Sequence, residues 1–280
     1  MATIAFKDIL PRLPNYIRAF GWLVGIRLLL AMHRANVKQC DHVRAWKIPG
    51  YQAVIHLRDT VSDHATFFQC IVRNQYAFNS FPQGRELQQS YEIEVSRGRQ
   101  PLIIDCGGNI GLSTVWYAQQ MPLARIVVVE PDLNNFNLLK RNVAIYGKRV
   151  TVIHGGVWDR PANLQILNPE SGSAAFRVAE LLTDSQIGLR AYSIDELCVL
   201  GGGGDPFIVK LDIEGAQAQV FRSNTDWTKR TRLIALELDD WLMPWKGTSR
   251  PFFLELANQP FDYLIAGEAI FCFRDPSSKD

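Results

Sequence analysis

Residues 101–111 read Pro-Leu-Ile-Ile-Asp-Cys-Gly-Gly-Asn-Ile-Gly, and a second apolar run, 126–129, ends on Glu130 and Pro131. The apolar runs are typical of buried strands, and the amphipathic stretch 112–121 between them is typical of a helix. The glycines permit a tight turn in which the backbone comes close to a ligand. Strand, glycine-rich turn, helix, strand and acid together form half of a nucleotide-binding α/β sheet.

Acids at the ends of both strands indicate which nucleotide the turn binds. Glu130 lies about 20 residues after the first glycine, where a carboxylate can accept the hydroxyl protons of a ribose. The turn lacks the G-x-G-x-x-G pattern, and a carboxylate at Asp105 would repel a pyrophosphate. S-adenosylmethionine (SAM) carries an ammonium, a sulfonium and a ribose, which suit acids at both positions. The sequence therefore predicts a SAM site at this turn and at the helix N-terminus that follows it.

Three segments resemble the FkbM family of SAM-dependent methyltransferases. They are residues 104–111, residues 129–142, and the segment Val-Lys-Leu-Asp-Ile-Glu-Gly at 209–215, which carries the most specific pattern, Lys-x-Asp-x-Glu-Gly. They stand in the family's order and spacing. The resemblance implies O-methylation of a hydroxyl on a sugar, a glycan or a small-molecule secondary metabolite.

The expected fold is a Rossmann-like class I methyltransferase. Its doubly wound, mostly parallel α/β sheet ends in an antiparallel C-terminal hairpin, and an N-terminal helical and β extension precedes it. We expect residues 1–90 to form this extension, packed on the core and the acceptor site, and residues 91–280 to form the methyltransferase domain. The predicted elements of the extension are a helix over 16–34, a strand pair within 43–60 and a helix over 62–73. Apolar and acidic residues alternate weakly over 91–95, which predicts a strand at the sheet edge.

The cofactor site is expected to extend from the first two strands to the exit of the third. That exit, residues 154–159, lies where this fold contacts the adenine, and the side chain of Asp159 either bonds the adenine amine or caps the turn. The predicted cofactor contacts are Asp105, Gly107, Asn109, Gly111, Glu130, Pro131, Val157, Asp159 and Asp212.

The catalytic candidates follow the apolar run 207–211. Lys210, Asp212 and Glu214 are two residues apart, so on an extended backbone they share one face. An alcohol acceptor loses its proton as the methyl bond forms, so a carboxylate within hydrogen-bond reach assists the reaction. Asp212 and Glu214 are the first candidates for this base, and Glu237, at the end of the next strand, is the third.

Two other roles for these acids stay open. Glu214 could cap the helix that follows it, or the acids could bind a divalent cation through oxygen. No further ligand cluster is visible in the sequence, and no metal site is assigned. A lysine beside two carboxylates would favour their ionised forms.

Composition excludes several classes of protein. Apolar residues make up 47% and charged residues 21% of the 280 residues, as in an ordinary globular protein. Thirty basic and 28 acidic residues give no field that would favour nucleic acid. The five cysteines are scattered without a C-x-x-C pair, which indicates reduced thiols and a cytoplasmic location.

Residues 16–34 are the most apolar part of the chain. Arg18 and Arg27 interrupt the run, so neither a transmembrane span nor a signal peptide is expected. The helix could pack on the catalytic domain or on a second subunit in a homodimer. Alternatively, Trp22 and the flanking arginines could bring the enzyme to lipid-linked glycan at a membrane surface.

Two rival functions are weighed against methyl transfer. A nicotinamide-dependent oxidoreductase is disfavoured by Asp105 and by the missing dinucleotide pattern. A catalytically silent binding protein with the same fold is disfavoured because the acids and glycines of both motifs are intact.

Overall fold

The computed structural model of the protein describes residues 10–36, 40–166, 178–180, 188–213 and 215–278. The chain divides into two compact units, residues 1–75 and residues 76–280.

The first unit consists of helices and one strand pair. Its elements are a 3-10 turn at Leu10–Arg12, α1 (Leu13–Phe20), α2 (Trp22–Asn36), β1 (Cys40–Lys47), β2 (Val54–Asp59), α3 (Val61–Phe67) and a π-helical turn at Phe68–Val72. Strands β1 and β2 pair antiparallel. Within the described ranges, no helix is long and apolar enough to cross a bilayer.

Where the sequence predicts one helix over 16–34, the structure has two. Gly21 separates α1 from α2, because its φ of 76° lies in the left-handed region that ends a helix, and its N–H donates to the carbonyl of Ile17. The apolar run continues through this break. Hydropathy alone therefore could not reveal it.

The second unit is an α/β domain. Its strands are β3 (Leu102–Cys106), β4 (Arg125–Glu130), β5 (Val150–His154), β6 (Gly156–Val157), β7 (Ala162–Ile166), β8 (Val178–Glu180), β9 (Leu189–Tyr192), β10 (Pro206–Leu211), β11 (Leu233–Glu237), β12 (Phe261–Ala266) and β13 (Ala269–Arg274). Its helices are α4 (Pro82–Ser96), α5 (Leu112–Gln120), α6 (Leu133–Val143), α7 (Ile194–Leu200), α8 (Gln217–Val220), α9 (Trp227–Arg230) and α10 (Arg250–Leu256), and a 3-10 segment follows α6 at Ala144–Arg149.

Seven strands form the central sheet in the order β12-β13-β11-β10-β3-β4-β5. The five strands from β11 to β5 run parallel, while β13 pairs antiparallel with β11 and with β12. This arrangement confirms the predicted fold: a doubly wound, mostly parallel sheet that ends in an antiparallel hairpin. A smaller sheet in the described part of the chain has the order β6-β9-β7-β8.

The prediction of a strand over 91–95 is wrong, because these residues lie in helix α4. Leu87 and Tyr91 are buried four residues apart on one side of this helix, while Ile93 is exposed. Pro82 stands at the start of the helix, where its missing N–H costs no hydrogen bond. Three alternating apolar residues are compatible with the two-residue period of a strand and also with a helix, so this short pattern does not decide between them.

The core explains why the central strands were recognisable. Every residue of β3 and of β10 is buried, and parallel strands covered on both faces read as continuous apolar runs. Parallel strands also bring all their carboxyl ends to one edge of the sheet, where α/β folds bind ligands. Asp105 and the residues after β10 meet at that edge.

The turn after β3 packs directly against the chain after β10. Gly107 has a φ of 79°, and a Cβ at this position would lie 1.9 Å from the carbonyl oxygen of Asp212. A side chain would therefore force the two segments apart.

We predict that Gly107→Ala destabilises the protein more than Gly98→Ala does. Gly98 has a similar φ of 74° but no atom near its absent Cβ, so alanine there adds only left-handed strain of about 1–2 kcal/mol. At Gly107 the clash adds a further ~1–3 kcal/mol. Urea unfolding of both variants measures the difference, and equal losses would contradict the close approach.

Candidate active site

A buried lysine lies at the centre of the site. Lys210 of β10 is 1% exposed, and its Nζ lies 3.0 Å from Asp105 Oδ1 and donates to the carbonyl of Gly107 at 2.8 Å. Lys210 and Asp105 are direct register partners across β10 and β3. A buried charge needs such a partner because water no longer solvates it.

Asp105 is held from its other side by helix α5. Its Oδ2 accepts hydrogen bonds from the hydroxyls of Ser113 and Thr114, both at 2.7 Å. The carboxylate is fully buried. Its observed contacts fix Lys210 and the start of α5, and direct contact with the cofactor stays a prediction.

Asp212 is the exposed member of the same cluster. Its side chain is 35% exposed, and its Oδ2 lies 3.5 Å from Lys210 Nζ. The hydroxyl of Tyr76 donates to this oxygen at 3.3 Å. The structure thus brings together Lys210 and Asp212 as predicted from their spacing, whereas Glu214 lies outside the described residues.

Tyr76 both packs in the core and contributes to the site. Its ring does stack on Tyr117, with the centroids 6.0 Å apart, but its hydroxyl reaches the site. Because Tyr76 and Asp212 are 136 residues apart in sequence, no local pattern links them.

Glu130 joins the ends of β3 and β4. Its two carboxylate oxygens accept the backbone N–H groups of Asn109, at 2.7 Å, and Asp132, at 2.9 Å. Burial raises the pKa of Glu130 to about 7, and these two hydrogen bonds oppose the shift. A carboxylate has about four acceptor positions, so Glu130 retains capacity for ribose hydroxyls.

The glycine turn also presents an unused acceptor. Asn109 has a φ of 48°, and its buried Oδ1 has no hydrogen-bond partner in the part of the chain that is described. An acceptor left open beside a helix N-terminus fits a ligand with cationic and N–H groups, as SAM has. Two other predicted cofactor residues lie at the same edge. Gly111 immediately precedes α5. The carbonyl of Pro131, which follows β4, lies 3.0 Å from His154 Nε2.

In the predicted adenine region, the side chain of Asp159 bonds other protein groups. Val157 is buried in β6, and Asp159 is engaged by Ser223 Oγ at 2.6 Å and by Arg160 at 3.0 Å. The side chain of Asp159 therefore ties two loops together, and its contact with adenine stays a prediction. Between them, the buried Trp158 Nε1 is a donor without a partner among the described residues.

A further carboxylate, Asp239, follows β11. Its Oδ2 accepts the N–H of Gly215 at 2.7 Å, and its Oδ1 accepts from Gln217 Nε2 at 3.1 Å. Burial raises the pKa of Asp239 to about 6, and the charge of Asp212 adds to the rise. Glu237 contributes its backbone carbonyl to Gln217 at 3.0 Å.

The acids at this edge do not form a metal site among the described residues. These residues include no group of three or more His, Cys, Asp or Glu side chains that could hold a metal ion. Glu214 lies outside the described residues.

Comparison with known proteins identifies the family. Residues 105–255, more than half of the chain, match the family described as the methyltransferase FkbM domain. The chain belongs to the FkbM methyltransferase family. S-adenosylmethionine is therefore its cofactor. The contacts of the individual acids and of the glycine turn with this cofactor stay predictions. A comparison with curated proteins finds no match.

Solved structures show a distant likeness. An O-methyltransferase from Bacillus cereus in complex with S-adenosylhomocysteine (SAH) shares 15% identity over 69% of this chain and 82% of its own, with a TM-score of 0.40. An SAH-bound methyltransferase from Podospora anserina shares 15% identity over 71% and 84%, with a TM-score of 0.37. A methyltransferase from Geobacter sulfurreducens shares 17% identity over 75% and 88%, with a TM-score of 0.35.

The predicted ribose contact makes SAM binding depend on pH. The ionised form of Glu130 accepts hydroxyl protons best, and with a pKa raised to about 7 this form is lost as the pH falls below 7. We therefore expect SAM affinity, measured by calorimetry, to weaken between pH 8 and pH 5.5. The charged hydrogen bonds at stake are worth ~1.5–3 kcal/mol.

Glu130→Gln is the matched control for this titration. It should bind SAM more weakly at pH 8 and show little further loss at low pH, because it has no proton to gain. A wild-type affinity that stays constant across this range would refute the ribose assignment.

Proposed function

We propose that the protein transfers the methyl group of SAM to a hydroxyl group, with Asp212 as the base. The observation that carries this proposal is the half-exposed carboxylate of Asp212 at the carboxyl end of β10, held from behind by Lys210 and Tyr76. Among the acids at this edge, Asp105, Glu130 and Asp239 are buried. Of the partly exposed acids that remain, which include Glu237 and Asp240, Asp212 is the one that contacts Lys210 and Tyr76.

The roles of the residues follow from charge and exposure. SAM supplies an electrophilic methyl group, so most of the rate enhancement can come from orienting the acceptor. Asp212 takes the proton that the acceptor hydroxyl loses. Lys210 and Tyr76 position this carboxylate, while Asp105 holds Lys210, which in turn bonds the glycine turn at Gly107.

Asp212→Asn should lower kcat by ~100–10,000-fold, the usual contribution of general-base assistance, while SAM affinity stays unchanged. The measurement is turnover with labelled SAM together with calorimetry of SAM binding. Asp226→Asn, at an exposed aspartate outside the site, is the control. Glu214→Gln and Glu237→Gln rank the other candidate bases.

Two outcomes would revise this assignment. If Asp212→Asn retains full turnover, Asp212 is structural and the base is one of the other carboxylates. If EDTA abolishes wild-type activity and Mg²⁺ or Mn²⁺ restores it, the acids bind a cation instead of the acceptor proton.

We further propose that the acceptor is a sugar or glycan. The loop after β11 carries Trp241, which is 78% exposed, and Trp245, which is fully exposed. Asp239, at the start of this loop, accepts the N–H of Gly215, three residues after Asp212, and we infer that the loop borders the acceptor site. Exposed aromatic rings stack on the apolar faces of sugars, while neighbouring carboxylates such as Asp240 accept their hydroxyl protons.

Trp245→Ala should raise the KM for the acceptor about three- to tenfold and leave kcat nearly unchanged, because stacking contributes to binding and not to chemistry. The acceptor is first found by screening oligosaccharides and small-molecule alcohols with labelled SAM. Ile265→Ala, which removes an exposed apolar side chain from β12, is the control. Methylation of only non-carbohydrate alcohols would contradict the sugar proposal.

We propose that the first unit contacts an anionic membrane surface. Residues 10–36 contain four arginines and no acid, and Trp22 and Leu23 at the start of α2 are 70% and 74% exposed. A double variant, Trp22→Ser with Leu23→Ser, should abolish flotation with phosphatidylglycerol vesicles. If flotation is unaffected and light scattering shows a dimer that the variant dissociates, the surface is instead a homodimer interface.

A cytoplasmic location is part of the same proposal. Cys106, Cys198 and Cys272 are buried thiols outside any disulfide, which suits a reducing compartment.

A further inference from the structure

A basic groove of about 800 Å³ lies at the opposite edge of the central sheet from the active site. Among the described residues that line it, seven are Lys or Arg and two are acidic, although the whole chain has a net charge of only +2. The groove is bounded by the end of α4, the start of β4, the loop before β10 and the residues that precede β11. Both edges belong to the second unit.

Part of this charge is already balanced. Arg99 pairs with Glu94, and Arg230 pairs with Asp205 and Asp195. Arg97, Arg125 and Arg232, by contrast, have no carboxylate within 4.0 Å in the ranges that the structure describes. Three arginines in one groove thus lack a neutralising partner.

Arg125 is held in a fixed orientation. Its Nη2 donates to the carbonyl of Gly203 at 3.0 Å, and its Nη1 donates to the carbonyl of Gly201. A Cβ at Gly202 would come within 2.1 Å of Nη1. The run of four glycines, residues 201–204, therefore encloses this guanidinium.

The side chains of Arg97 and Arg232 are exposed, but the backbone of each residue is hydrogen-bonded. The N–H of Arg97 bonds to carbonyls in the last turn of α4, and the N–H of Arg232 donates to the carbonyl of Phe207 in β10. Both side chains lie close enough to Glu94 to affect its pKa. The hydrogen bond from Arg99 lowers this pKa most, and the charges of Arg97 and Arg232 lower it further. The groove therefore concentrates positive charge on rigid elements.

We propose that this groove binds a phosphate or pyrophosphate group. Guanidinium groups match phosphate oxygens with paired N–H donors, and a multiply charged tetrahedral anion can engage several arginines at once. A carboxylate carries one charge and would leave most of the groove unbalanced. The anion could be free in solution or part of a lipid headgroup.

This site is separate from methyl transfer. Strands of five residues rise ~3.3 Å per residue, so the two edges lie roughly 17 Å apart. Loss of anion binding therefore leaves SAM binding intact, and failure of either proposal does not imply failure of the other.

The experiment uses the full chain and a matched pair of double variants. Arg97→Gln with Arg232→Gln removes two unbalanced charges of the groove, while Arg85→Gln with Arg141→Gln removes two exposed arginines outside it. Calorimetry with inorganic pyrophosphate should show binding by the wild type and the control. The groove variant should bind at least about tenfold more weakly, with unchanged SAM affinity.

Co-sedimentation with phosphatidic acid vesicles distinguishes the two sources of the anion, with Trp22→Ser and Leu23→Ser present in every protein so that the first unit does not contribute. Loss of vesicle binding in the groove variant alone supports a headgroup, and loss of pyrophosphate binding alone supports a soluble ligand. If the groove variant and the control behave alike with both probes, or if the wild type binds neither, the proposal is overturned.

Discussion

The buried ammonium of Lys210 is the constraint on which the active site depends. A lysine that is 1% exposed has lost its hydration, and only close negative or polar partners can offset that loss. Its partners come from three places: Asp105 at the end of β3, the carbonyl of Gly107 in the turn, and Asp212 after β10. One cation thereby holds the cofactor turn and the proposed base in a fixed relation.

The other buried acids act in a similar way on neighbouring loops. Glu130 bonds the N–H of Asn109 in the turn after β3, and Asp239 bonds the N–H of Gly215 in the loop after β10. Each carboxylate thus joins the end of its own strand to the loop of the adjacent strand. Burial raises the pKa of both groups, to about 7 and about 6, so this edge of the sheet is sensitive to pH near neutrality.

The fold was predictable because its central strands are buried on both faces. Continuous apolar runs such as β3 and β10 are typical of buried parallel strands. The acids at or just after the ends of these runs indicate which edge of the sheet binds the ligand. The errors fell where the local pattern was ambiguous: three alternating residues inside α4, and one glycine inside an apolar run. Propensity and period cannot separate such cases without tertiary contacts.

The site was predictable residue by residue but not contact by contact. The motifs identified Asp105, Lys210 and Asp212, but the ion pair of Asp105 with Lys210 depends on the register of β3 against β10. The hydroxyl of Tyr76 reaches Asp212 from 136 residues away. The first contact arises from strand pairing and the second from the packing of the turn that holds Tyr76, and a linear motif encodes neither.

Strand direction also separates charge across the second unit. Every parallel strand starts at one edge and ends at the other, so the acids at strand ends collect on the cofactor side, while Arg125 and Arg232 at strand starts collect on the opposite side. The net charge of the chain adds the negative charges of one edge to the positive charges of the other, so it reveals neither cluster. A near-neutral composition excludes a strong overall field, but it does not exclude local fields of opposite sign at the two ends of one sheet. In this protein the acidic edge suits a cationic cofactor, and the same strand order makes the other edge suited to an anion.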